Sequence, residues 1–284
     1  MVNFSALLTF YWLLTLISVA GLPSRVLAVD SSDAPSTLLV AGSGSNLGIT
    51  RLLAEAFTKE HPQISIEVPG SIGTRGAIKA VVEGAIPLGL ISRPLKEEEK
   101  TQGLSARPYA RTAIVIGVHP SVKEETISSQ ELVAIIKGEK KQWQDGNQII
   151  VQAREPGDSG YQVLEDIIPG FKEAYQESQA AKRWTLYFTN QDANKALEMV
   201  PYALGLSDLG MMSTEGLKIK ALRYNGIAPR LETLTDSSYP LVREQSIIYR
   251  ADNLSPEANS FIEFVCSPAS ANILKQNGFI PTYP

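Results

Sequence analysis

Three stretches rich in glycine and hydroxyl side chains hold the residues best suited to chemistry: Gly42-Ser43-Gly44-Ser45-Asn46, "PGSIGTRG" at 69–76 and "REPGDSGY" at 154–161. A fourth, "ISRP" at 91–94, closes a short apolar run. The first turn of a helix has N–H groups without intrahelical acceptors and the positive end of the dipole, so hydroxyls placed there favour an anion. Glycine keeps Cβ atoms clear of a close oxygen. Arg154 adds a charge on a planar fork that matches an oxyanion. Any one such loop is equally a plain helix cap. Four of them after successive apolar runs fit ligand binding at strand carboxyl ends.

Other chemistries lack their residues. The chain of 284 residues has no G-x-G-x-x-G, no phosphate loop ending in Lys-Ser/Thr and no Gly-x-Ser-x-Gly elbow, and no carboxylate pair is placed for acid–base work. The single cysteine, Cys266, lies among Phe261, Ile262, Phe264 and Val265, which reads as a buried small hydrophobe and leaves no internal disulfide. His61 and His119 each precede a proline, and no Cys/His/carboxylate cluster has ligand spacing, so neither a metal nor a cofactor is expected. A net charge of −4 with no Lys/Arg run longer than two argues against nucleic acid and anionic membranes as partners.

The elements that position these loops follow an α/β rhythm. "TLLVA" (37–41), "ISIEV" (64–68) and "IPLGLI" (86–91) read as strands, separated by helices carrying Ile49, Leu52, Leu53, Ala56 and Phe57, then Ile78, Val81 and Val82. Parallel pairing with right-handed crossovers follows. The pattern restarts at "RTAIVIGV" (111–118), and Ser128 with Glu131 forms a capping box for a helix stopped by Gly138. Strands are expected at "QIIVQA" (148–153), "YALGLS" (202–207), "IKALRY" (219–224) and "LVREQSIIYR" (241–250). Ser159 and Gln162 have capping-box spacing, and one helix is expected over 256–276.

At the N-terminus, Phe4 to Leu22 is nearly all apolar, and Val26-Leu27-Ala28 fits the small-residue pattern before a signal-peptidase cut. Residues 1–28 therefore read as a signal peptide for export to the periplasm. The alternative is an uncleaved anchor, because the segment lacks a leading Lys/Arg and is just long enough to span a bilayer.

From about Leu38 to Pro284 the chain resembles the phosphate-binding proteins of ABC-type phosphate importers, within the type II periplasmic binding-protein superfamily. The stretches that carry the resemblance are "AGSGSN", "LAEAFTKEHPQISIEVPGSIGTRGAIKAVVEGAIPLGLISRPLKEEE", "REPGDSGYQVLE", "YALGLSDLG" and "KALRYNGIAPRLETLTDSSYPLVREQSIIYR". The resemblance implies two α/β lobes, 36–115 with 240–284 and 116–239, each a mixed, mostly parallel sheet flanked by helices and joined by two crossing hinge strands. It implies inorganic phosphate as ligand, with sulfate, molybdate or tungstate as alternatives. It also implies delivery to ABC permease subunits in the inner membrane, a monomer, and no reaction on the ligand. A phosphate-sensing module read by a signalling partner is the rival role.

By motif, the first loop contributes Ser43, Gly44, Ser45 and the Asn46 backbone, the second Ser71 and Thr74, the third Ser92, and the fourth Arg154, Ser159 and Gly160. Three departures stand out. Tyr161 occupies the place of a ligand threonine. Arg93 stands where some relatives have an aspartate that accepts the proton of hydrogen phosphate, and an arginine cannot accept. Arg75 interrupts the second loop as a second ligand charge or a solvated helix start. Asp158 is expected either to accept from ligand or to orient Arg154.

Overall fold

The computed structural model describes residues 36–283. The expected signal peptide and its cut after Ala28 lie outside the described residues.

The first apolar run forms β1 (Ser36–Gly42) and turns directly into α1 (Gly44–Glu60). Gly42 is required there, because a Cβ would overlap the Leu90 carbonyl of the neighbouring strand. Ser43 stays extended, and α1 then buries Leu47, Ile49, Leu53 and Phe57 at helical spacing. Next come β2 (Ile64–Glu67), α2 (Gly73–Val82), β3 (Leu88–Ile91) and the short α3 (Glu97–Lys100).

β4 (Leu104–Val118) starts well before the expected residue 111. The added length includes Pro108, which sits where the ladder shifts register between Gln245 and Ser246 opposite it, and such a bulge tolerates a residue without an N–H. β5 (Thr126–Ile127) leads into α4 (Ser129–Lys137), which has the expected Ser128–Glu131 capping box and ends at Gly138. β6 (Ile150–Arg154), α5 (Ser159–Ile167), α6 (Phe171–Ala180), β7 (Thr185–Tyr187), α7 (Asn190–Met199), β8 (Ala203–Asp208) and α8 (Leu209–Thr214) follow.

The strand expected over 219–224 is divided into β9 (Lys220–Ala221), which pairs with β4, and β10 (Arg223–Tyr224), which pairs with β5. After α9 (Leu231–Thr235) and β11 (Val242–Arg250), the single C-terminal helix expected from 256 is two helices, α10 (Pro256–Val265) and α11 (Pro268–Gln276), before β12 (Ile280–Pro281). Pro268 explains the break: proline suits the start of a helix and not its interior.

Among the described residues, ten strands form one sheet whose main path runs β2-β1-β3-β11-β4-β8-β6-β7. β1 lies parallel to β2 and β3, and β6 lies parallel to β7 and β8. The two parallel sets are joined by β4 and β11, which run antiparallel to each other and to their outer neighbours. Leu104–Ala113 of β4 pair with β11, while Ile114–Val118 pair with β8. One core gathers β1, β3 and α1 with α10 and α11, through residues such as Val40, Leu53, Phe57, Leu88 and Phe261. A second gathers the end of β4 with β6, β8 and α4 to α6, through Ile116, Ile135, Val151, Leu164 and Leu206. The strand carboxyl ends of both sets carry the loops considered next.

Candidate functional site

The first turns of α1, α2, α5 and α7 each contribute to, or directly precede, the wall of one cavity of ≈ 220 Å³. That is below the ~300–1,000 Å³ usual for drug-sized ligands and suits a small one. Ser43 enters from the end of β1. Ile72, Gly73, Thr74, Arg75 and Gly76 enter from the start of α2, and Asn190 from the start of α7. The β6–α5 connection adds Arg154, Glu155, Gly157, Asp158 and Ser159. Ser43, Thr74, Arg154 and Ser159 are all buried. A larger recess of ≈ 610 Å³ between α1 and β2 is lined by exposed Arg51, Glu55 and Lys59, and none of its polar lining residues is buried.

Behind Ser43 lies a buried network centred on Ser92. The Ser92 hydroxyl lies 2.7 Å from Ser43 Oγ, 2.6 Å from Ser45 Oγ, 2.9 Å from Gln245 Oε1 and 2.8 Å from the donating Asn46 Nδ2. Asn46 is fixed further by donating to the Ile91 carbonyl and accepting from the Tyr109 hydroxyl at 2.6 Å. Burial pushes the Tyr109 hydroxyl far above the usual tyrosine range, so it stays a donor. The Ser92 N–H donates to Thr74 Oγ1 at 3.3 Å, which ties the third loop to the second.

Arg154 leaves β6 with its guanidinium held from three sides. Nε donates to Asp158 Oδ2 at 3.1 Å, Nη1 to the Tyr187 carbonyl at 2.7 Å and Nη2 to the Phe188 carbonyl at 3.1 Å. Asp158 is the N-cap of α5, accepting from the Gly160 and Tyr161 N–H groups through Oδ1. The cap is thus Asp158 rather than Ser159, which frees the Ser159 hydroxyl for the cavity. The Arg154–Asp158 bond is the contact that the second of Asp158's two expected roles requires. At the cavity mouth, Arg75 Nη2 meets Glu155 Oε2 at 3.0 Å, an exposed ion pair linking the α2 side to the α5 side.

The sequence-derived residues therefore fall into distinct positions. Ser43, Thr74, Arg154, Ser159, Arg75 and Asp158 line the cavity. Ser45, Asn46 and Ser92 do not line it and hold the layer behind it. Gly44 starts α1 and its carbonyl accepts from Gln191, while Ser71 braces the second loop by donating to the Gly42 carbonyl. Gly160 donates its N–H to Asp158 rather than facing the cavity. Arg93 is paired with Glu99 through two 2.7 Å bonds, which turns its fork away from the site. Tyr161 is packed in the core against Tyr175, with ring centroids 4.6 Å apart.

The loop motifs did not reveal Asn190, Glu155, Gln245 and Tyr109. Asn190 had a signal in Thr189-x-x-Asp192, a cap whose Thr189 hydroxyl accepts from the Asp192 N–H. Gln245 had one too: Arg243 and Gln245 alternate as polar residues on the buried face of β11. Cys266, expected to be buried, is only half-buried, at the edge of the first core.

A family model described as the PBP superfamily domain matches residues 28–269. Among similar curated proteins, the phosphate-binding protein PstS of Borreliella burgdorferi is 24% identical over 256 residues, covering 85% of this chain and 89% of its own. The phosphate-binding protein PstS of Bacillus subtilis is 24% identical over 263 residues, covering 89% and 83%. Among solved structures, a putative phosphate ABC transporter substrate-binding protein with bound phosphate from Clostridium perfringens aligns with a TM-score of 0.78 at 23% identity, covering 87% of this chain and 100% of that one. The periplasmic molybdate-binding protein of Azotobacter vinelandii aligns at 0.58 with 18% identity, covering 86% and 98%.

Proposed function

The chain belongs to the PBP superfamily domain family, and from that premise we propose that it is a receptor that captures inorganic phosphate and hands it to an ABC permease. The observation that carries this reading is the convergence of buried Ser43, Thr74, Ser159 and Arg154 on one small cavity at the starts of α1, α2 and α5. Hydroxyls, free first-turn N–H groups and a clamped guanidinium together form a preorganised oxyanion cradle. The similar proteins named for phosphate binding and transport support phosphate as the ligand.

Glu155 supports phosphate over sulfate. Its carboxylate lines the cavity, so an acceptor is present for a protonated oxyanion even though Arg93 cannot serve. A fully ionised sulfate would meet that carboxylate with lone pairs only.

The ligand is bound and released unchanged. Residues 36–115 with 240–284 form one lobe and 116–239 the other in this reading, with β4 and β11 as the crossing strands, and closure brings α2 toward α5 around the anion. Export through residues 1–28 places the receptor in the periplasm. Among the described residues no helix is long and apolar enough to cross a membrane.

Isothermal titration with phosphate, sulfate, molybdate and tungstate tests the assignment. Phosphate is expected to bind most tightly, and tighter binding of sulfate would overturn it.

A further inference from the structure

Arg243 and Asp208 lie in two sequence stretches that the loops above leave unused, "LVREQSIIYR" and "YALGLSDLG". Arg243 projects from the crossing strand β11 and is 2% exposed, and Asp208 at the end of β8 is fully buried. Their contact is loose, with Nη1 3.4 Å from Asp208 Oδ2. Asp208 spends its other oxygen on the Met211 N–H at 2.7 Å. Among the described residues, buried Arg243 Nε has no hydrogen-bond partner. The guanidinium is pressed against the first turn of α5: a Cβ on Gly160 would overlap Arg243 Nη2 and lie 3.1 Å from Asp158 Oδ1. The guanidinium thus occupies the space that a side chain at residue 160 would take.

We propose that Arg243 is a second charge-setting residue of the anion site, placed behind α5 to offset Asp158, with Asp208 governing how much of its charge reaches the ligand. The proposal rests on the anion reading above. Four buried groups alternate in sign, Arg154, Asp158, Arg243 and Asp208. With all four ionised the set is neutral, and the anion is held by Arg154 with Asp158 balanced from behind. With Asp208 protonated the set carries one net positive charge and attracts the anion more strongly. Burial raises the Asp208 carboxyl to about 6, against the pull of Arg243, so this change falls within an accessible range. The other charged or titratable groups around Asp208 are Asp158 at the start of α5, Glu215 after α8 and Tyr109 on β4.

Phosphate Kd measured from pH 5 to pH 8 for the wild type and Asp208→Asn tests this, because the ratio at each pH cancels the ionisation of phosphate itself. The expected ratio of wild-type to variant Kd is near 1 at pH 5 and rises to roughly tenfold at pH 8, the scale of one buried charge several ångström away. Arg243→Gln is expected to weaken binding at pH 8 by at least about tenfold, with Arg243→Lys recovering most of the loss. A ratio that stays flat with pH, or full affinity in Arg243→Gln, overturns the proposal.

If Asp208→Asn fails to fold, carbon NMR of the Asp208 carboxyl in wild type decides. Linkage requires phosphate to raise its apparent pKa, and an unmoved titration overturns the idea. Absence of phosphate binding by wild type overturns the functional reading as well. Binding with a flat ratio removes this inference alone.

Discussion

Replacing Ser92 by alanine tests whether the layer behind the cavity is what makes the cavity work. The Ser92 hydroxyl contacts Ser43, Ser45, Asn46 and Gln245 at 2.6–2.9 Å and is fully buried, so no water can substitute without displacing packed atoms. Some partners retain other bonds: Asn46 Nδ2 keeps the Ile91 carbonyl, and Ser45 keeps the Gln245 side chain at 3.3 Å. Ser43 keeps only a long 3.4 Å contact to Ser45, and Gln245 Oε1 keeps only a 3.4 Å contact to the same group. Two buried groups left without a good partner, at about 1–3 kcal/mol each, give a loss of about 2–4 kcal/mol after partial relaxation. For a chain of this size that corresponds to about 5–15 °C in Tm. Urea and thermal unfolding of the ligand-free protein, beside phosphate titration, measure both sides. Ser92→Ala should lose stability without ligand and also bind at least about tenfold more weakly, because Ser43 loses its anchor. A variant of unchanged stability that loses only phosphate affinity would refute this reasoning and return Ser92 to direct contact with ligand.

Arg154→Ala should weaken phosphate binding by at least about 100-fold in titration, since it removes the cavity's clamped charge and leaves Asp158 unpaired. Arg75→Ala should raise the dissociation rate in stopped-flow fluorescence by only about 2–5-fold, because the Arg75–Glu155 pair is largely exposed. Glu155→Gln should narrow the preference for phosphate over sulfate in competition titration, by keeping the shape while removing the carboxylate. Asp208 has its carboxyl raised from 3.8 to about 6 in the folded state, so its contribution is fully favourable below about pH 3.8 and is lost as pH rises through about 6. The unfolding free energy of wild type relative to Asp208→Asn, followed by urea denaturation, should accordingly fall by about 3 kcal/mol from pH 3.5 to pH 7. A rise over that range would contradict the assignment.

What the sequence disclosed, and what it concealed, follows from which interactions are local. The Ser128–Glu131 box and the starts of α1, α2 and α5 depend on residues a few positions apart, so residue type and spacing reveal them. Thr74 and Arg154 were legible for the same reason: each sits within a few residues of the helix start it serves. Ser92 reads alike whether its hydroxyl faces a ligand or the first loop and β11, and only the 2.9 Å contact to Gln245, 153 positions away, decides between them. Gly160 looks like an anion-loop glycine until Arg243 of a distant strand is seen filling the space of its absent Cβ. Arg93 looks free to bind until Glu99 closes on it, although Glu99 stands only six residues ahead, because nothing in the spacing says which way a long side chain turns. The capping residue of α5 was assigned to Ser159 rather than Asp158 because both types cap well, and spacing alone does not say which of the two side chains turns toward the Arg154 guanidinium four residues before Asp158.

The charges of this site are matched before any ligand arrives. Arg154 is joined to Asp158, Arg243 to Asp208 and Arg75 to Glu155. A site built as a bare cationic patch would attract anions indiscriminately and would pay repulsion among its own arginines when empty. Pairing removes that penalty and also removes the long-range pull, leaving short-range donors to do the selecting: buried hydroxyls, first-turn N–H groups and the guanidinium hydrogens that Asp158 and the two carbonyls do not take. Such donors are effective only at hydrogen-bond distance and only from both sides of the cavity at once. The cavity meets this requirement, because Ser43 and the start of α2 face the β6–α5 connection and Asn190 across it. Arg243 adds a buried charge behind this set: its backbone belongs to β11 and its guanidinium packs against Gly160 in the first turn of α5.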